Sequence, residues 1–266
     1  MSACSIRFVI IVPYRDRAQL LAEFQEQMRI VLADVDPATY RVWYLHQRDS
    51  TSGAPRPFNR GAMKNIGFLV LREMYPTCYR NITLVFHDVD TVPTGAGVIP
   101  DYATVPGTVK HFYGYSYALG GIVSITAGDF ERIDGFPNYW AWGYEDNMLQ
   151  TRAKQAGLRI DRSVFYPIGD AAHIRQVQGG RYRTVNRGEF DRYIRMNPEG
   201  WASIRGLVYT PPTNSTLDLG EMVDVCGFDT GYACNPAQNM EFDTANRAPF
   251  TVGRSAKQRA RMNLVM

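Results

Sequence analysis

Two aspartates, Asp88 and Asp90, close the apolar run of "LVFHDVD" with only Val89 between them. Paired carboxylates at the end of a buried strand repel one another unless a cation or hydrogen-bond donors intervene. An aspartate–x–aspartate there suits a hard divalent cation carrying a diphosphate; the structural alternative is a turn followed by a helix cap. A second acidic pair, Glu145 and Asp146, ends the block "FPNYWAWGYED". A helix start accommodates both acids through its dipole, but that leaves Trp140 and Trp142 beside them unexplained. Exposed aromatic platforms next to carboxylates suit sugars, whose apolar faces stack while their hydroxyls need acceptors. Taken together, the two motifs point to a sugar site.

Such residues need rigid elements behind them. "IRFVIIVPY", 6–14, is a near-continuous β-branched run, as expected for a strand covered on both faces. In the following segment Leu20, Leu21, Phe24, Met28, Val31 and Leu32 share one helical stripe, with Asp16 as its expected cap. A second strand is expected over 40–47, a second helix over 58–75 with Phe68, Leu69, Leu71 and Met74 in the core, and a third strand over 81–90. Lys64 reads as a surface residue of that second helix. This alternation spells a parallel sheet with crossover helices. Asp88 and Asp90 then sit at a carboxyl strand end, where open α/β sheets bind ligands.

Beyond Asp90 the pattern is less regular. A strand is expected over 120–130 and a helix over 146–157, closed by Gly157. The basic, aperiodic stretch 175–190 reads as a mobile loop and a candidate lid, with Gly179 and Gly180 as hinge. From about Gly227 the chain turns loop-rich. The expected organisation is a catalytic domain over 1–226 and a C-terminal extension over 227–266.

Composition narrows the class. Hydrophobic residues make up 45% and charged residues 21%, which suits a globular chain rather than a disordered one. A formal charge of +3 is too weak to argue for nucleic acid as a partner, although phosphate-bearing small molecules need only local positive charge. Cys4, Cys78, Cys226 and Cys234 show no C-x-x-C spacing and read as free thiols, with a Cys226–Cys234 bridge left open. No apolar run is long enough to span a membrane, and the first apolar stretch is too short for a signal peptide. The expectation is a soluble protein of a reducing, cytoplasmic compartment.

The blocks "VPYRDR", "FNRGAMKNIGF", "FHDVD", "GGIVSI", "GFPNYWAWGYEDN" and "EGWASIRGLVY" occur in an order that resembles the β-1,4-galactosyltransferase family. The resemblance covers roughly 6–210, and its tryptophan–glutamate–aspartate block is the most specific part. It implies a GT-A fold: a Rossmann-like, mixed and mainly parallel sheet flanked by helices. It also implies an inverting, metal-dependent transfer from a uridine diphosphate (UDP) sugar to a glycan acceptor. By this resemblance Pro13, Tyr14, Arg15 and Arg17 line the uridine and diphosphate, Phe58 stacks on the uracil and Arg60 touches the donor. Asp88, Val89 and Gly121 border the nucleotide-sugar, and Trp142 stands between donor and acceptor. Glu145 holds the acceptor and Asp146 is the catalytic base.

The same resemblance gives Asp90 to a manganese or magnesium ion and looks for further ligands after the acidic-pair helix. "GDAAHIRQ" offers Asp170 and His173 there, with Asp170 where the family has a methionine. A hard oxygen suits manganese or magnesium better than a thioether does. The departures concern the acceptor: Tyr144 replaces a glycine, and Asn147 and Met148 replace acids. A last departure bears on the donor. Ala118 stands where the family has a tyrosine that crowds the donor's second carbon, so an N-acetylated hexose is expected to fit. Transfer of N-acetylgalactosamine or xylose on the same frame, and a carbohydrate-binding relative without turnover, are the competing readings.

Overall fold

Phe8–Tyr14 forms the first strand, β1, and every residue in it is buried because helices cover both faces of the sheet. Val9 and Ile11 pack into one core with Met63, Ile66 and Phe68, while Phe8, Ile10 and Val12 pack into the other with Leu21, Phe24 and Met28. The computed structural model describes residues 4–48, 56–177, 182–212, 217–244 and 250.

The first half follows the expected alternation. α1 (Ala18–Val31), β2 (Tyr40–Gln47), α2 (Arg60–Met74) and β3 (Thr83–His87) follow β1, and β1 pairs in parallel with both β2 and β3. The buried stripe of α1 is Leu21, Phe24, Met28 and Val31, as its periodicity predicts. Its cap differs: Arg17 occupies the N-cap position, and Asp16 is exposed with φ 47°. Met74 is exposed at the end of α2.

After β4 (Thr91–Pro93) the sheet turns mixed. β5 (Thr108–Gly114) and β6 (Ile122–Thr126) are antiparallel to one another, and β6 is antiparallel to β3. The expected strand over 120–130 is thus only its first part, since α3 (Ala127–Arg132) starts where Thr126 caps a helix. α4 (Glu145–Gln155), β7 (Arg159–Asp161) and β8 (Tyr166–Pro167) follow, both strands pairing in parallel with β5. The stretch expected to be a mobile loop is instead built from elements. β9 (Ile174–Gln176) pairs with β4, and β10 (Tyr182–Asn186) leads into α5 (Arg187–Ile194). The hinge expected at Gly179 and Gly180 lies outside the described residues.

The remaining strands return to this frame. β11 (Arg205–Tyr209) and β12 (Glu221–Asp229) complete the other sheet edge, β12 running parallel to β2, and β13 (Asn239–Asp243) pairs with β10. The order is β11-β12-β2-β1-β3-β6-β5-β7, mixed and mainly parallel. The boundary expected after residue 226 falls inside β12, whose Val223 and Val225 are fully buried in the central core. Among the described residues no helix is long and apolar enough to cross a membrane.

One expectation about the cysteines is overturned. Cys4, just before β1, and Cys78, just before β3, are joined in a disulfide with Cα atoms 6.1 Å apart. The two parallel strands bring their leading ends together, although 74 residues separate the cysteines in sequence. Such bonds persist in oxidising compartments, which counts against the cytoplasmic expectation. Thiol titration of the denatured, unreduced protein should therefore return two free groups, Cys226 and Cys234. A count of four would restore the reducing-compartment reading.

Candidate active site

Three elements converge beyond the carboxyl end of β3. α2 starts where the Asn59 side chain accepts the Ala62 N–H at 2.8 Å. Arg60 and Lys64, four residues apart, share one face of that helix. Arg60 meets Asp88 at 2.6 Å and Glu145 at 3.8 Å, while Lys64 meets Asp146 at 3.0 Å. The asparagines on α2 fix the segment leading to α4. Asn65 donates to the Phe136 carbonyl at 2.7 Å and to Asn138 Oδ1 at 2.9 Å, and accepts the Phe136 N–H at 3.0 Å. Asn59 donates to the Asn138 carbonyl at 3.1 Å. The motif on α2 and the block before α4 are thus two halves of one scaffold.

The glycine pair at 120–121 explains itself at this point. A Cβ on Gly120 would stand 2.3 Å from Asp146 Oδ2, so only glycine lets that carboxylate settle there. Gly121 has φ 73°, a backbone region that suits glycine, and its carbonyl accepts the Asp88 N–H at 3.2 Å.

Burial and charge set the state of the acids. Burial pushes the Asp88 carboxyl up, but the Arg60 and Lys64 charges outweigh it and hold the group below its usual range. Asp90 goes the other way: burial and the neighbouring Asp88 charge raise it, with Arg60 and Arg17 only partly offsetting them. Glu145 is 4% exposed, and burial together with the Asp146 charge pushes its carboxyl up to about 7. Among the described residues its buried Oε2 has no hydrogen-bond partner, which leaves that oxygen able to meet a ligand.

This has a measurable consequence. The native Glu145 carboxyl keeps its proton up to about pH 7, whereas the unfolded one releases it near its ordinary value of 4.5. The native state therefore binds more protons between those values, and stability falls as pH rises through the window. Glu145→Gln removes that loss. Above pH 7 the ligand-free variant should be more stable than the wild type by roughly 1–3 kcal/mol, with the difference vanishing toward pH 4. Equal melting temperatures at pH 8 would show that ionising Glu145 costs nothing.

The other expected residues distribute unevenly. Pro13 and Tyr14 are buried at the end of β1, Tyr14 with its ring 5.0 Å from His46. Arg15 donates to the Arg56 carbonyl at 2.7 Å, and Arg17 lies 3.5 Å from Asp90. Phe58 is half-buried against the central core, and Val89 is buried against the other. Trp142 is half-buried, its ring stacked at 6.1 Å on Phe242 and its backbone N–H donated to the Thr184 carbonyl. Trp140 is no platform. It is 2% exposed, stacks on Phe228, lies under the Arg56 guanidinium and donates its indole N–H to the Tyr232 carbonyl at 2.7 Å. Lys64 is no surface residue either: it is 1% exposed. The i, i+4 spacing of Arg60 and Lys64 at a helix start was the available sequence signal for it.

The expected metal donors are only partly assembled. Asp170 and His173 meet at 2.9 Å between Oδ1 and Nδ1, and the His173 ring stacks on Tyr166 at 4.4 Å. Asp90 lies at the other end of the β4–β9 ladder, its carbonyl accepting the Val177 N–H at 2.7 Å, while the His173 carbonyl accepts from Thr94. Among the described residues no three histidine, cysteine, aspartate or glutamate side chains cluster as a preformed metal site. The donor chemistry nonetheless fits a hard divalent ion. Asp90 is a carboxylate raised by burial and by Asp88, so a nearby cation would relieve both penalties. An imidazole whose Nδ1–H is held by a carboxylate leaves Nε2 as a lone-pair donor.

The chain matches two family models. The N-terminal region of glycosyl transferase group 7 matches residues 2–98, and the N-terminal domain of galactosyltransferase matches residues 107–177. Beta-1,4-galactosyltransferase 5 of Sus scrofa is 30% identical over 200 residues, covering 69% of this chain and 44% of that protein. Beta-1,4-galactosyltransferase 7 of Drosophila melanogaster is 29% identical over 164 residues, covering 59% of this chain and 47% of the relative. The chain thus spans less than half the length of these relatives. The crystal structure of the catalytic domain of Drosophila beta-1,4-galactosyltransferase 7 in complex with xylobiose superposes with a TM-score of 0.64. Identity is 18%, over 87% of this chain and 96% of that one. A mutant of the same enzyme, in complex with manganese, UDP-Gal and xylobiose, gives a TM-score of 0.62 at 19% identity, with the same coverage.

Proposed function

Because this chain belongs to the β-1,4-galactosyltransferase family, we propose that it is an inverting, metal-dependent transferase moving a hexose from a UDP-sugar to a hydroxyl of a glycan acceptor. The observation that carries this reading is the convergence of Asp88, Glu145 and Asp146 on Arg60 and Lys64 beside the end of β3. Such a cluster can hold a phosphate-bearing donor and an acceptor hydroxyl at once.

In this reading Arg17 and Arg60 bind the diphosphate, with Arg15 steadying the loop after β1 through Arg56. Pro13, Tyr14, Phe58, Asp88, Val89 and Gly121 form the nucleotide-sugar wall, and Trp142 separates donor from acceptor. Glu145, protonated near neutrality, takes part in hydrogen bonding to the acceptor. Asp146 removes the proton of the attacking hydroxyl as its oxygen bonds to the anomeric carbon and the bond from that carbon to the diphosphate oxygen breaks. UDP leaves, and the proton stays on the Asp146 carboxylate until it is lost to solvent. Asp90 would hold a manganese or magnesium ion, and His173, its imidazole oriented by Asp170, is proposed as a further donor that must be brought toward Asp90 from the far end of the β4–β9 ladder. Such an ion, when bound, supplies Lewis-acid stabilisation of the charge on the departing diphosphate.

Ala118 is the residue proposed to widen donor choice. It is buried, and the neighbouring Tyr117 ring stacks at 5.1 Å on Tyr115 at the surface rather than folding over it. The function is tested by a screen of nucleotide-sugars with glycan acceptors, read as metal-dependent release of UDP. Turnover is expected with a UDP-hexose, with N-acetylated donors accepted as well. Release that needs no acceptor, or turnover only with donors of another nucleotide, would overturn the assignment.

A further inference from the structure

Lys64 is the one charged side chain of the site whose ammonium is fully enclosed, and it belongs to none of the roles above. Its ammonium lies 3.0 Å from Asp146 Oδ1 and 4.5 Å from the centre of the Phe136 ring. On its other side, Asp146 Oδ2 rests over Gly120, where even a methyl group would not fit. The Asp146 backbone is fixed too, since its carbonyl accepts the Leu119 N–H at 3.0 Å. Among the described residues Oδ2 takes no hydrogen bond, and the side chain keeps 23% of its surface exposed. One oxygen is therefore held, the other is free, and the carboxylate has a single orientation.

We infer that Lys64 is a positioning residue for the transfer step, fixing Oδ1 of Asp146 so that Oδ2 receives the acceptor's proton. The inference rests on the reading of Asp146 as the base. Packing alone does not ask for an ammonium at this point, because apolar side chains could fill the same space if both partners of the pair were replaced; the ammonium is there for the carboxylate it meets. Lys64 pairs directly with Asp146, the Arg60 and Glu145 charges also act on it, and Arg60 in turn pairs with Asp88 at the end of β3 and with Glu145. Three carboxylates share two cations. Lys64 thus holds the one carboxylate of the three with which Arg60 forms no ion pair.

The test compares wild type, Lys64→Met, Lys64→Arg and Asp146→Asn in transfer and in UDP binding. Lys64→Met should lower kcat by about 10–100-fold, the scale of a misplaced catalytic group. KM for the UDP-sugar and the Kd for UDP should stay within about twofold, because Lys64 contacts no residue of the nucleotide wall and Asp88 there keeps its direct ion pair with Arg60. Lys64→Arg should recover part of kcat, because it returns a charged donor to Asp146 Oδ1. Lys64→Gln replaces the methionine variant, under the same criteria, if the latter does not fold. Wild-type kcat in Lys64→Met, or a fall in kcat matched by an equal loss of UDP affinity, with Asp146→Asn inactive, overturns the inference and spares the function. Full activity in Asp146→Asn overturns the assignment of the base itself.

Discussion

Asp146→Asn is expected to slow transfer by about 10²–10⁴-fold, the contribution of a positioned general base, while UDP affinity stays within a few-fold. The separation follows from position. Asp146 is the second residue of α4, held by Lys64 on one side and lying over Gly120 on the other, whereas the arginines proposed for the diphosphate sit on α2 and after β1. An asparagine keeps the shape of the side chain and an oxygen for Lys64 to donate to, but removes the negative charge and the ability to take a proton. Equal losses in turnover and in UDP affinity would show that the substitution disturbs the site as a whole. Retained turnover would remove Asp146 from the chemistry.

Arg60→Ala should have the largest effect on the protein itself. Its guanidinium lies 2.6 Å from Asp88 and 3.8 Å from Glu145, and the charges of Asp88, Glu145 and Asp146 together outweigh its burial and raise its basicity further. Removing it leaves Asp88 buried beside Glu145 and Asp146 with Lys64 as the remaining nearby cation of α2. A loss of about 3 kcal/mol in unfolding free energy is expected, at the low end for breaking a buried pair because 24% of the Arg60 side chain is exposed. The double variant Arg60→Met/Asp88→Asn should recover part of that stability without recovering activity. Denaturant melts of the single and double variants would check both. An unchanged midpoint in Arg60→Ala would mean that water already satisfies Asp88.

What could be read from the sequence divides by the range of the interaction. β1, α1, β2, α2 and β3 announce themselves through apolar runs and stripes, because each is decided by burial of its own neighbours in sequence. The strand-end position of Asp88 and Asp90, and the placement of Glu145 and Asp146 on the first turn of a helix, followed from that alternation. Contacts made across the chain did not. β12 joins β2 in parallel from 178 positions away, as in the Trp43–Glu221 hydrogen bond, and nothing local marks that pairing. Cys4 and Cys78 meet only because β1 and β3 are neighbours. Lys64 looks like a solvated helix residue until Asp146, 82 positions later, is seen against it. Trp140 looks like a sugar platform until Phe228, Arg56 and Tyr232 close over it. β10 and α5 lay hidden in a basic stretch whose strand partner, β13, comes more than 50 residues later, as in the Asn186–Asn239 hydrogen bond.

The end of β3 is proposed to bind a nucleotide diphosphate together with a divalent cation through Asp90. Calorimetric titration of UDP into the wild type and into Asp90→Ala, each in manganese and in chelator, tests it most directly. Manganese is expected to tighten UDP binding to the wild type by about tenfold or more, which is about 1.4 kcal/mol, and Asp90→Ala to erase the difference. Equal wild-type affinity in manganese and in chelator would contradict it.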